Sequence, residues 1–275
     1  MEVRTNGDYL EVESGRLYYE VAGDGHPLTL IHAGVADLRM WDDQVPELAR
    51  HHRVVRYDTR GFGRTRSEDA SFSNRDDLQR LWDHLGLDSS HLLGLSRGAS
   101  IALDVTLEMP QRVSSLVFCS SSPGGFELDV PESAATWAEM ERLWEAREWP
   151  RLVELEARMW VDGPGQPEDR VAPDVRARMI GWMTENYVNG PGEGRPRPLE
   201  PPAVGRLDEV IVPTLVMWGD LDEPSVRAGS ELMVRGIADA RQHVFADTAH
   251  MLNLEHPTEF TTRVLDFLAS VRSSQ

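Results

Sequence analysis

Three short apolar runs, Thr29-Leu30-Ile31, Val54-Val55 with Tyr57, and Leu92-Leu93 with Leu95, are each too short for a helix and each lead into a glycine-containing loop. They predict buried strands. Between them the apolar positions change period. Trp41, Val45 and Leu48 recur at i, i+4 and i+7, and Leu78, Leu81, Trp82 and Leu85 at i, i+3, i+4 and i+7, the stripe of an amphipathic helix. Asn74 is the expected N-cap of the second helix, with Asp76 and Asp77 in its first turn, where the helix dipole favours negative charge. Strand alternating with helix implies a parallel sheet with crossovers. The rhythm continues with a helix over residues 98–107, stopped near Pro110, and a strand over 113–118.

Late in the chain the pattern returns as a strand over 210–218, a helix over 226–237, a strand over 242–245 and a last helix over 258–271. At the front, the alternation Tyr9-Leu10-Glu11-Val12, a Ser14-Gly15 turn and Leu17-Tyr18-Tyr19-Glu20-Val21 predict an antiparallel hairpin. The middle breaks step. Residues 126–199 offer no good strand, but their helical stretches carry Trp137, Leu143, Trp144, Trp149, Leu152, Leu155, Met159, Trp160, Met179, Trp182 and Met183. The expected fold class is therefore α/β, a mostly parallel twisted sheet flanked by helices. Residues 1–125 and 203–275 form its core, and 126–202 form an inserted helical cap that ends in a Gly/Pro-rich connector over 190–202.

The decisive local string is Gly94-Leu95-Ser96-Arg97-Gly98, placed after the strand at 91–95 and before a helical segment. At this chain's glycine and serine content it would arise by chance about 0.1 times, so its strand–turn–helix setting carries the weight. In that setting it reads as a nucleophile elbow, a turn too tight for side chains at its flanks that holds the serine hydroxyl at the top of the sheet. A hydroxyl needs a base, and histidine can take and return its proton. A base late in the chain, in the loop after the last strand, leaves His243, His250 and His256. His243 falls in the predicted strand and His256 precedes Pro257 at the start of the last helix. His250, in Asp247-Thr248-Ala249-His250-Met251 between strand and helix, is preferred. The third member is a carboxylate at the carboxyl end of a strand that orients the imidazole. Asp220 and Asp222 both qualify, with Glu223 third, and turn geometry decides among them.

Composition narrows the chemistry further. All 28 basic residues other than histidine are arginine, which excludes Schiff-base, pyridoxal-phosphate and Walker-type chemistry, each of which needs a lysine amine. The net charge of −18 argues against nucleic acid and anionic membrane surfaces as partners. The first residues are charged and carry no apolar run of a secretory signal, and no stretch has the length of a membrane span, so a cytoplasmic protein is expected. There Cys119, the single cysteine, would be a buried reduced thiol. Gly61-Phe62-Gly63 lacks the third glycine of a dinucleotide fingerprint. His51-His52 have diverging side chains and no further ligands for a metal, and the acid pairs Asp42-Asp43 and Asp76-Asp77 read as solvated helix faces. No cofactor and no metal are expected.

These features together resemble the α/β-hydrolase superfamily, in its branch with a helical cap after the sixth strand. The likeness runs from Leu30-Ile31-His32-Ala33-Gly34 through Tyr57-Asp58-Thr59-Arg60-Gly61-Phe62-Gly63, the elbow and Trp218-Gly219-Asp220-Leu221-Asp222 to Asp247-Thr248-Ala249-His250 and Glu255-His256-Pro257. It implies Ser96 as nucleophile, His250 as base and Asp222 as acid, the last chosen over Asp220 by the family's Gly-x-x-Asp spacing. It implies backbone N–H groups of Gly34 and Arg97 as oxyanion hole. Ala33 stands where the family's loop carries glycine, so Val35 stays open as a donor. Arg97 stands where an uncharged side chain is usual. Its guanidinium either borders the site and favours anionic substrates or points outward, or into a salt bridge, leaving its backbone alone at work.

The activity implied is cofactor-independent serine hydrolysis of a small ester or lactone through an acyl-enzyme, on a small-molecule substrate with an apolar or aromatic part. The Trp and Met residues of the insertion either line that pocket or hold the cap helices together. Serine at the elbow excludes the haloalkane dehalogenases and epoxide hydrolases of the superfamily, which use aspartate. Carbon–carbon bond hydrolases, prolyl aminopeptidases and cofactor-free haloperoxidases remain as alternatives on the same triad, as does a non-catalytic receptor. Oligomeric state is open.

Overall fold

The computed structural model describes residues 5–188, 190 and 194–272; the part of the connector at 191–193 lies outside the described residues. The hairpin forms from β1 (Thr5–Val12) and β2 (Gly15–Ala22), in a register running from Thr5 opposite Ala22 to Val12 opposite Gly15. The three early apolar runs become β3 (Pro27–Ile31), β4 (Arg53–Tyr57) and β5 (Ser90–Leu95), followed by β6 (Val113–Cys119), β7 (Thr214–Gly219) and β8 (Ala240–Phe245). Across the sheet the order is β1-β2-β4-β3-β5-β6-β7-β8. Only β1 with β2 and β2 with β4 pair antiparallel along this path. Every residue of β5 is buried, as expected for a central strand covered by helices on both faces. Chain order reverses at β3, whose neighbours are β4 and β5, so the crevice above the carboxyl ends of β3 and β5 is where such a sheet admits a ligand.

The helices α1 (Asn74–His84) and α2 (Arg97–Glu108) pack on this sheet. The cap of α1 is Ser73, not Asn74: Ser73 has extended backbone and its hydroxyl accepts from Asp76 N–H, while Asn74 is already the first helical residue. Both can cap, and the apolar stripe does not separate adjacent candidates. Asp77 also departs from the expected solvated face. It is buried and takes two hydrogen bonds from Arg60, at 2.7 and 2.8 Å, because the turn at 61–63 brings that arginine over α1.

Between β6 and β7 lie α3 (Pro131–Glu145), α4 (Trp149–Glu156), which runs on as the π-helical turn Ala157–Asp162, and α5 (Pro173–Val188). Met140, Leu143, Leu152 and Met159 make a small core of their own, whereas Met179, Trp182 and Met183 join the main core on one face of the sheet. The stretch expected to lack strands contains one: Arg195–Pro196 pairs with Ser71–Phe72. Two residues are too few for a periodic signal. The strand expected over 210–218 begins instead at Thr214. A 3₁₀ turn at Leu207–Glu209 comes first, and Pro213, which has no N–H for a ladder, ends the approach. The chain closes with α6 (Pro224–Gly236) and α7 (Pro257–Arg272). No described helix is long and apolar enough to cross a membrane.

Candidate active site

Ser96 stands between β5 and α2 with φ 56° and ψ −124°, a conformation that costs a side-chain-bearing residue about 1–3 kcal/mol. Its neighbours explain how the turn closes. A Cβ on Gly94 would overlap the Gly98 carbonyl, and one on Gly98 would overlap the Ile31 carbonyl. The Ser96 N–H donates to the Cys119 carbonyl at 2.8 Å, tying the turn to β6. Its half-buried hydroxyl makes no hydrogen bond among the described residues and lines a cavity of ≈ 720 Å³.

His250 lines the same cavity from the loop after β8. Its Nδ1 lies 2.9 Å from both carboxylate oxygens of Asp222, in the loop after β7, and both residues are almost fully buried. With Nδ1 engaged, Nε2 is the nitrogen left to face the cavity. The other acids of the β7 loop have different work. Asp220 accepts from Thr248 N–H at 3.3 Å, bracing the loop that carries His250. Glu223 caps α6 through the N–H groups of Ser225 and Val226 and accepts from Ser133 Oγ at 2.9 Å. Of the other late histidines, His243 faces Glu259 at 3.1 Å and His256 stacks on Phe245.

The loop after β3 is built on His32. Its Nδ1 lies 2.7 Å from the Ala33 carbonyl and its Nε2 3.0 Å from Thr59 N–H. Those two contacts fix a neutral ring that donates from Nδ1 and accepts at Nε2, and burial agrees, pushing His32 down to about 4. Gly34 and Val35 both line the cavity with Ser96. The peptide N–H groups of Gly34, Val35 and Arg97 donate to no acceptor among the described residues, so all three are free for a ligand oxygen.

The Arg97 side chain follows neither expected course. It is half-buried and has no carboxylate partner among the described residues. It donates to Thr59 Oγ1, lies 5.0 Å over the Phe62 ring and lines a second, smaller cavity of ≈ 250 Å³. Desolvation pulls its guanidinium down to about 10. Trp144 and Tyr187 line both cavities.

The insertion roofs the larger cavity with Trp137, Trp144, Trp160 and Tyr187, so part of its aromatic content faces the site while Leu143 and Met159 pack inside the insertion. The Trp160 ring lies 4.6 Å from that of His250. Several lining residues escaped the sequence reading, among them Glu141, Glu156 and Tyr187. Glu156, at the end of α4, receives the Tyr187 hydroxyl at 2.6 Å, and burial pushes its carboxyl up to about 7. Its partner is 31 residues away, and no local pattern distinguishes it from Glu154, the other acid of the same helix. Among the described residues no group of three or more His, Cys, Asp or Glu is arranged to hold a metal ion. Cys119 is buried at the end of β6 and burial drives its thiol far up.

The chain is 28% identical over 280 residues to the 2-hydroxy-6-oxononadienedioate/2-hydroxy-6-oxononatrienedioate hydrolase of Klebsiella pneumoniae, covering 95% of each. It is 26% identical over 261 residues to the 2-hydroxy-6-oxo-6-phenylhexa-2,4-dienoate hydrolase of Comamonas testosteroni, covering 92% of this chain and 91% of that one. Among solved structures a hydrolase from Pseudomonas aeruginosa superposes with a TM-score of 0.78 at 26% identity, over 96% of this chain and 98% of the other. The Klebsiella and Comamonas enzymes are named for small-molecule substrates. With residues 30–263 matching the family model as well, the chain belongs to the alpha/beta hydrolase family and is a hydrolase.

Proposed function

We propose that this hydrolase cleaves a small carboxylic ester or lactone through an acyl-enzyme, with no cofactor. The observation that carries the reading is the pairing of Asp222 with His250 Nδ1 beside an unbonded Ser96 hydroxyl in one cavity. Asp222 holds the imidazole so that Nε2 takes the Ser96 proton as Oγ attacks the carbonyl carbon. The developing oxyanion is met by the free N–H groups of Arg97 and of Gly34 or Val35. His250 then returns the proton to the leaving alkoxide, and water, deprotonated by the same nitrogen, releases the acid and restores Ser96. The helical segment at 126–202 acts as the cap over this centre, and its tryptophans receive the apolar part of the substrate.

The relatives favour a second reading, hydrolysis of a carbon–carbon bond in a 2-hydroxy-6-oxo-dienoate on the same three side chains. Such substrates are carboxylates. The cavity beside Ser96 is lined by Glu141 and Glu156 and by no arginine side chain, which weighs toward the ester. Incubation with a fluorophosphonate, peptide mapping and a panel of aryl esters, lactones and dienoates tests both. The expected result is an adduct on Ser96, competition by esters, and turnover of esters above dienoates. Folded protein without an adduct on Ser96 rules out the serine mechanism, and turnover of dienoates alone rules out the ester.

A further inference from the structure

Several acids of the insertion are paired with arginines. Glu139 and Glu148 share Arg142 and Arg151, and Glu154 holds Arg158 and Arg176. Glu156, two residues after Glu154, has no arginine among the described residues. Its Oε2 takes the Tyr187 hydroxyl, while Oε1 accepts no hydrogen bond among the described residues although Glu156 lines the cavity with Ser96 and His250. Glu156 is half-buried; a carboxylate partly withdrawn from water and left without a counter-ion is costly to ionise, and a cation brought by a ligand lowers that cost.

The walls around Glu156 suit such a ligand. Trp144 meets Tyr187 edge-on at 5.5 Å, and Trp137 leans on Trp160 at the same centroid distance. Trp137 and Trp144 keep 45% and 37% of their surface exposed, so ring faces are open at the mouth of the cavity, where Glu141 also stands. Aromatic faces attract an alkylammonium group within about 6 Å of a ring centroid. We infer that the cavity recognises a cationic alkylammonium group, seated between Glu156 and the Trp144, Trp160 and Tyr187 rings, and that the substrate is an ester carrying that cation. The second clause rests on the ester-hydrolase reading above; the first does not.

The surrounding electrostatics point the same way. Burial pushes the Glu156 carboxyl up to about 7, with no positive group opposing it; a bound cation would draw it down. Arg97, which lines the adjoining cavity, is engaged with Thr59 and Phe62. The net charge of −18 raises the local concentration of cations and lowers that of anions.

Three ligands of matched shape that cannot be hydrolysed test the site itself: choline, 3,3-dimethylbutanol as its uncharged isostere, and 3,3-dimethylbutanoate as an anion. Titration calorimetry on the full chain is expected to rank choline about tenfold above the alcohol and to find the carboxylate weakest. In Glu156→Gln and, independently, Trp144→Leu, the choline-to-alcohol ratio taken within each protein falls toward one. Equal binding of choline and the alcohol, no binding of choline, or preference for the carboxylate overturns the inference, the last shifting recognition to Arg97. Hydrolysis of butyrylcholine against 3,3-dimethylbutyl butyrate is then compared. Choline binding without turnover of either ester removes the ester reading and leaves the cation site standing, whereas turnover of the neutral ester alone does the reverse.

Discussion

Asp220 and Asp222 sit in one loop two residues apart, and what separates them is the group each faces. Asp222 meets His250 Nδ1, and Asp220 meets a backbone N–H of the neighbouring loop. Replacing Asp222 by Asn leaves the size unchanged but offers an amide where the imidazole needs an acceptor, so the ring is free to take the wrong tautomer. In serine triads that loss is about 10⁴-fold in kcat, and a loss of about 10³–10⁴-fold is expected here for Asp222→Asn. Asp220→Asn keeps its Oδ1 acceptor for Thr248 and is expected to stay within about threefold, since only a loop brace is touched. Steady-state hydrolysis of an aryl ester by the two variants decides it, and the opposite ranking refutes the assignment of the acid. The difference in legibility between these groups and Glu156 is physical. Ser96 is marked by the glycines that its own turn requires, and His250 by its place between a strand and a helix. Glu156 becomes special only through the approach of Tyr187, a tertiary event with no local trace. Arg97 is intermediate: its position could be read, but the direction of a long side chain depends on Thr59 and Phe62, which reach it from another loop.

For the elements, the strands were legible because burial on both faces writes itself as short continuous apolar runs, and α1 because one buried stripe fixes its period. What periodicity cannot supply is the end of an element. At α1 two adjacent residues could each cap, and the structure gives the role to Ser73, whose hydroxyl accepts from Asp76 N–H. Ser73→Ala leaves that donor without its partner and is expected to cost about 1 kcal/mol, a fall in melting temperature of about 2–4 °C. Asn74→Ala, inside the helix, is expected to change it by about a degree or less. Equal effects from the two variants would return the cap to Asn74. The strand at 210–218 failed at its start for a related reason. Val210 and Val212 are buried, so they look like strand, yet Ile211 between them is 77% exposed and Pro213 follows; they anchor a turn, and the ladder begins only at Thr214. The pairing of Arg195–Pro196 with Ser71–Phe72 lay beyond any pattern, because a two-residue bridge is specified by where the connector lands.

Across the whole molecule, acidity acts through a few enclosed carboxyls as well as through the sum of charges. Burial pushes Asp58 up to about 7, Asp104 to about 6 and Glu156 to about 7, against ordinary values of 3.8 for aspartate and 4.5 for glutamate. In the window from about pH 4 to 7 the folded chain therefore keeps protons that the unfolded chain has released, and stability falls as pH rises through it. His32 opposes this at the acid end. Held neutral with its value down at about 4 against an ordinary 6.5, it leaves the unfolded chain with the extra proton, so its own contribution to stability grows from about pH 4 to 6.5 and is complete above that. The exposed acids paired with arginine, such as Glu139 and Glu209, are held low and are fully ionised well below neutrality in both states. Between about pH 6.5 and 7.5 Asp58 and Glu156 titrate through their midpoints, with the tail of Asp104, in the destabilising direction, and together they outweigh the last part of the His32 contribution. The melting temperature of the wild-type chain is expected to fall over that interval at fixed ionic strength, and Glu156→Gln to fall less steeply. Added salt screens the repulsion of the −18 surface and raises both curves, but reaches enclosed carboxyls poorly, so the difference in slope between the two proteins should survive it. A melting temperature that rises through this interval, or slopes that merge in salt, would mean that Glu156 is already ionised and solvated in the folded chain.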